Sequence, residues 1–242
     1  MGVVHIIGAG PGDPELITVK GLKLLREADC VLYDRLIPMR LLDEVRAGAE
    51  LIYVGKEPGG IGPSQDEINN MLLNCALRRN VVVRLHGGDP LVFGRGFEEC
   101  RFLASRGVKC FIVPGITAGL AAPAKYYIPP VLRGVASSVA LVTGKEAASK
   151  GRRFVDFKAL AKAVDTIIVY MGASSAGEIA EELIAGGLGG DTPAAVITKA
   201  YMGDESLRVA RLRDLGVAES PSIIVVGSVV EEGLRLYEML KP

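Results

Sequence analysis

The chain has no tryptophan and few aromatics, 5%, and carries no excess of either charge, since Lys plus Arg and Asp plus Glu each number 28. Balanced charge excludes the broad basic footprint that a nucleic acid or an anionic membrane surface would select. No run approaches the roughly 18 consecutive apolar residues of a membrane-spanning helix. The amino terminus passes from Met1-Gly2 directly into Val3-Val4-His5-Ile6-Ile7, without the basic, apolar and cleavage regions of a leader, so a cytoplasmic protein is expected. The four cysteines, Cys30, Cys75, Cys100 and Cys110, contain no Cys-x-x-Cys pair. Neither a structural zinc site nor a redox dithiol is indicated, no metal is expected, and the thiols read as buried and reduced.

Glycine, by contrast, is abundant: 30 residues of 242, where an ordinary chain has about 7%. Short β-branched runs at 3–7, 30–33, 51–54, 81–85 and 108–113 alternate with amphipathic stretches near 18–28, 65–79 and 94–106. This βαβα alternation predicts a mostly parallel sheet covered on both faces. The pattern resumes after Pro114-Gly115, with strands near 138–143, 166–171, 194–199 and 222–227 and helices near 156–163, 174–185 and 229–239. Leu207 to Leu212 reads as an additional, antiparallel strand. So many strands exceed one comfortable sheet, and the chain reads as two α/β domains, 1–113 and 114–242.

The glycines fall just after the strands: Gly8-Ala9-Gly10-Pro11-Gly12-Asp13, Gly87-Gly88-Asp89-Pro90, Gly115, Gly144 and Gly172. In open α/β sheets those ends border the ligand crevice, so a ligand cleft is expected there. The first loop invites a dinucleotide reading and fails it in detail. The third glycine of G-x-G-x-x-G is replaced by Asp13, Pro11 removes a backbone donor, and Thr18 reads as the helix N-cap, too far on for the helix dipole to reach the loop. A dinucleotide-dependent oxidoreductase is thereby disfavoured, and no G-x-x-x-x-G-K-[ST] is present for a P-loop nucleotidase.

Residue by residue the chain resembles the tetrapyrrole methylases. The match runs through Gly8 to Thr18, Val31-Leu32-Tyr33-Asp34-Arg35-Leu36, Tyr53-Val54-Gly55-Lys56, Arg84 to Gly96 and Val113-Pro114-Gly115-Ile116-Thr117-Ala118. It continues through Arg133 to Ser138 and Val169-Tyr170-Met171-Gly172. Asp34-Arg35-Leu36 together with G-G-D-P-x-V-F-G-R-G resembles most closely the members that methylate uroporphyrinogen III at two ring carbons to give precorrin-2, for sirohaem or cobalamin. The resemblance implies S-adenosylmethionine as methyl donor, S-adenosylhomocysteine as product, a donor held in a cleft between the two domains, and a homodimer.

It also implies roles. Pro11, Gly87, Gly88, Asp89, Val92, Thr117, Ala118, Met171 and Ala200 are expected at the donor, with Val92 and Met171 making apolar contact and Thr117 hydrogen bonds. Methyl transfer to a pyrrole carbon leaves protons to redistribute, so Asp34 is the expected base and Lys56 the expected acid or charge stabiliser. Arg35, Arg95 and Arg133 are the expected partners of the substrate carboxylates, which a neutral protein must meet locally. Two positions depart from the family pattern: His86 stands where relatives often carry Lys, and Leu132 where many carry His. His5, inside the first strand, reads as structural. A methylase of a later corrin precursor and a catalytically silent binding module are the remaining alternatives, the second opposed by the presence of both Asp34 and Lys56. At this length the additional dehydrogenase and chelatase domain of a trifunctional sirohaem synthase is not expected.

Overall fold

The computed structural model describes residues 1–55, 62–145 and 154–241. The chain divides into two compact units, Met1–Ala118 and Gly119–Pro242.

The first unit is built on five parallel strands, β1 Val3–Gly8, β2 Cys30–Tyr33, β3 Glu50–Tyr53, β4 Val81–His86 and β5 Lys109–Val113, in the order β3-β2-β4-β1-β5. Because neighbours run parallel, every strand needs a crossover. Helices α1 Val19–Arg26, α2 Gln65–Arg78 and α3 Gly96–Ala104 supply three of them. Thr18 caps α1 by accepting from the Gly21 amide, and Ser64 with Glu67 forms a capping box on α2. Strand parity divides the core. Val4, Ile6, Cys30, Leu32 and Val82 face α2 and α3, which contribute Ile68, Leu72 and Leu103. Ile7, Val31, Val83 and Leu85 face Leu25 of α1 on the other side.

The second unit holds β6 Val139–Thr143, β7 Thr166–Tyr170, β8 Pro193–Thr198, β9 Ser206–Arg211 and β10 Ser222–Val226 in the order β6-β7-β10-β8-β9. Here the expected parallel sheet is corrected. Only β6 and β7 pair parallel, and β10 lies antiparallel to both β7 and β8. The physical reason lies in the connections. A parallel neighbour needs a crossover of a dozen or more residues, usually helical, whereas β8 and β9 are joined directly as an antiparallel pair and only a short 3-10 turn, Leu212–Asp214, precedes β10. The antiparallel strand read at 207–212 is β9. Helices α5 Phe157–Ala163 and α6 Ala176–Ala185 cover one face through Phe157, Ile179 and Leu183, and α7 Val229–Leu240 lies against β8 and β10. Helix α4, Ala118–Ala124, starts just after Pro114-Gly115 and was not anticipated, because its sequence AGLAAPA has no amphipathic period.

The reading of four reduced cysteines is also corrected. Cys100 of α3 and Cys110 of β5 are joined by a disulfide, their Cα atoms 5.5 Å apart. Spacing could not reveal this, because the contact is made by folding α3 back along β5. Cys30 and Cys75 are free and buried, as expected, with their sulfurs 2.7 Å apart.

Candidate functional site

In the first sheet the strand registers place Gly8 beside His86, Leu85 beside Tyr33 and Tyr33 beside Tyr53, so all the carboxyl ends open on one edge. Two glycine loops meet there. Gly10 and Gly88 exchange backbone hydrogen bonds of 3.2 and 2.7 Å, each with a left-handed φ, +83° and +66°. Behind them Gly8, Gly88 and Gly115 touch backbone to backbone. A Cβ on Gly8 would come within 2.5 Å of the Gly88 carbonyl oxygen, and one on Gly115 within 2.2 Å of the same atom. These glycines therefore serve first to let three strand-end loops close on one another, and only part of the glycine excess is left to line a cleft.

Beside these loops, strand parity carries the buried layer under α2 and α3 outward, and its chemistry changes. On β2 the inward series Cys30, Leu32 ends in Asp34; on β4, Val82 is followed by Arg84 and His86. Helix α3 places Glu99 inward between Gly96 and Leu103, and α2 begins with Gln65. Arg84, 3% exposed, donates from Nη2 to Asp34 Oδ1 at 2.8 Å and from Nε to Glu99 Oε1 at 3.2 Å, bridging two carboxylates. His86 stands between the same two, its Nε2 2.7 Å from Glu99 Oε2 and its Nδ1 3.6 Å from Asp34 Oδ2. Gln65 Nε2 also donates to Glu99, at 3.2 Å. Burial opposes charge on Glu99, but the hydrogen bond to His86 and the Arg84 guanidinium outweigh it and hold its pKa at about 2. Asp34 keeps a side-chain exposure of 28% and looks into a pocket of about 340 Å³ whose walls include Arg35, Val54, Val92 and Arg95.

Of the residues expected at the reaction, Asp34 is at this pocket, and Lys56 lies outside the described residues. Arg35 and Arg95 line the pocket, Arg95 with its guanidinium on Glu98 at 2.9 Å; Arg133 belongs to the second unit, exposed in the turn closed by Leu132 and Ala136. Of those expected at the donor, Pro11, Gly87, Gly88, Asp89, Thr117 and Ala118 sit on the loops of the first sheet's open edge. Gly88 faces Thr117 Cα and Ala118 N, the nearest atoms to a Cβ there at 3.8 Å, so that wall is open. Asp89 is engaged by backbone, accepting from Leu91 N at 2.8 Å and Gly115 N at 3.0 Å, and it ties two loops together. Met171 and Ala200 follow β7 and β8, which run the same way on either side of β10, so both lie at one edge of the second sheet. Their backbone is distinctive. Among the described residues the non-glycine left-handed positions are Phe93, Tyr127, Met171, Lys199 and Tyr201. Four of these five are Met171 itself or neighbours of Val92 and Ala200. Left-handed backbone costs energy outside glycine and collects where ligands are held. His5 stacks on Phe111, the ring centroids 5.7 Å apart, in keeping with a structural reading.

Sequence reasoning missed Arg84, Glu99 and Gln65. Two of them left a signal: Arg84 interrupts the apolar run of β4, and Glu99 occupies the i+3 position of a face otherwise given by Gly96 and Leu103.

A parallel α/β unit with glycine-rich strand ends beside a pocket of arginines and carboxylates has the form of an enzyme for a small anionic molecule. A model of the family described as Tetrapyrrole (Corrin/Porphyrin) Methylases matches residues 3–216, and the chain belongs to that family. It is 44% identical to the uroporphyrinogen-III C-methyltransferase of Synechocystis sp., over 100% of this chain and 94% of that protein. A Thermus thermophilus uroporphyrin-III C-methyl transferase, solved with S-adenyl homocysteine, superposes with a TM-score of 0.82 at 39% identity, covering 96% of this chain and 100% of that one. The cobalt precorrin-4 methyltransferase of cobalamin biosynthesis superposes with 0.83 at 33% identity, covering 94% and 95%.

Proposed function

We propose that this chain is a methyltransferase that uses S-adenosylmethionine to methylate uroporphyrinogen III at two ring carbons, giving precorrin-2 for sirohaem or cobalamin synthesis. The observation that carries the reading is Asp34, held by Arg84 at 2.8 Å and open to the pocket, in a chain of this family. The donor brings a methyl group activated on a sulfonium sulfur, so the protein has little bond-making to do beyond placement. Pro11, Gly87, Gly88, Asp89, Val92, Thr117 and Ala118, with Met171 and Ala200 of the second unit, are proposed to hold it. Residues 1–113 would thus carry the catalytic groups and 114–242 complete the donor site.

Asp34 accepts the proton released at the methylated ring, and Arg84 keeps the carboxylate oriented for it. Lys56 is proposed as the acid or charge stabiliser. Arg35, Arg95 and Arg133 pair with acetate and propionate arms of the substrate. A pocket of about 340 Å³ admits part of the macrocycle and its arms. No helix among the described residues is long and apolar enough to cross a membrane, and the proposed setting is a cytoplasmic homodimer.

Anaerobic incubation with uroporphyrinogen III and S-adenosylmethionine, followed by mass spectrometry, tests the reading. Two added methyl groups are expected. Methylation of a later corrin precursor alone would transfer the assignment to that substrate, and no methylation beside an active control would refute it. Light scattering tests the dimer.

A further inference from the structure

His86 and Glu99 have no part in the roles above, yet each is held with unusual completeness. Glu99 is fully buried and receives hydrogen bonds from Arg84, Gln65 and His86. It stays a carboxylate at neutral pH, so the hydrogen between it and His86 belongs to the ring nitrogen, Nε2. The exchangeable position of the imidazole is then Nδ1, which faces Asp34 Oδ2 at 3.6 Å. Among the described residues the charged or titratable groups facing the ring are Asp34 from the end of β2, Arg84 from its own strand and Glu99 from α3; Gln65 of α2 is uncharged.

Two methyl transfers release two protons, and a single carboxylate can hold one. A macrocycle seated over Asp34 keeps bulk water from it, and the acceptor already beside it is His86. Resting on the reading of Asp34 as base, we infer that His86 is a second proton station, which unloads Asp34 between the two methyl transfers while Glu99 acts as its positioning residue. The proton leaves the Asp34 carboxyl oxygen as the Nδ1 lone pair forms the new N–H bond. The O–H electron pair returns to Asp34 as carboxylate, and the positive imidazolium is balanced by Glu99. No electrons are exchanged and no further reactant is needed. The 3.6 Å gap closes by a small rotation of either side chain, as catalytic hydrogen bonds that are long in the absence of substrate commonly do. An imidazole already protonated cannot unload Asp34, so the second transfer slows as pH falls while the first does not.

The test follows the mono- and dimethylated products in quenched time courses from about pH 5 to 8, the range in which imidazole titrates. The wild-type chain should accumulate the monomethylated product at the acid end. His86→Gln should retain the first transfer, slow the second at least tenfold and remove its pH dependence. Glu99→Gln, which keeps the shape and loses the charge, should shift the acid limb of the second transfer to lower pH, because the carboxylate that balances the imidazolium is gone. A purely structural role would move neither the product ratio nor the limb. Calorimetry with S-adenosylhomocysteine reports that each variant is folded. A wild-type product ratio independent of pH, or a His86→Gln chain with the wild-type ratio and profile, overturns the inference. Asp34→Asn separates the two readings: retention of both transfers removes Asp34 as base, whereas loss of both beside an unaltered His86→Gln removes only the proton station.

Discussion

A methyl group added to one glycine measures how tightly the strand-end loops close. Gly115→Ala would drive its Cβ to 2.2 Å from the Gly88 carbonyl oxygen, a rigid backbone atom, so overpacking by about 1–3 kcal/mol is expected. Gly216, with nothing within 4 Å of a Cβ, is the control, and Gly216→Ala should stay within about 0.5 kcal/mol in the same urea titration. Glu99 makes a different demand. Its folded pKa, about 2, lies below the usual carboxylate value of 4.5, so the folded chain binds this proton less readily than the unfolded one. That stabilisation is fully present above pH 4.5 and is lost as pH falls toward 2; Glu99→Gln should flatten this part of the acid denaturation curve. The glycine loops were legible because they follow directly on the strands, and Asp34 was legible only through the family resemblance of its Asp-Arg-Leu motif. The Arg84–Glu99 bridge was not, because its partners are 15 residues apart and meet only when α3 folds over β4.

At the scale of elements, periodicity and capping carried most of the reading. Thr18 caps α1 as its position predicts, and the strands of the first unit fall within a residue or two of their sequence bounds. Strand direction was the failure. A run of five apolar residues looks the same in a parallel or an antiparallel neighbour, and what decides is the length and helicity of the connection. The Cys100–Cys110 disulfide joins α3 to β5 across a 10-residue separation. Closing so short a loop is worth about 2–3 kcal/mol in the chain-entropy account, so thermal unfolding should come several degrees lower in dithiothreitol. A Cys100→Ala/Cys110→Ala chain should melt at the same lower temperature with or without reductant. If reductant instead lowers both proteins equally, the loss arises elsewhere.

Across the whole molecule, equal numbers of cations and anions leave no long-range field to gather a polyanionic substrate. Attraction must come from individual arginines, and the structure divides the candidates by what they already hold. Arg84 is committed to Asp34 and Glu99, and Arg95 to Glu98, while no carboxylate among the described residues pairs with Arg35 or Arg133. Both are exposed, so each contact is screened by water and salt and contributes at most about 1 kcal/mol. Arg35→Ala and Arg133→Ala should therefore each raise KM for uroporphyrinogen III by up to about fivefold and leave kcat unchanged, the mark of binding lost equally from ground and transition states. The same KM should climb with added sodium chloride in the wild-type chain and less steeply in either variant, with S-adenosylhomocysteine affinity as the salt-insensitive comparison. An arginine whose loss lowers kcat at constant KM would belong to the reacting ring and not to the carboxylate arms.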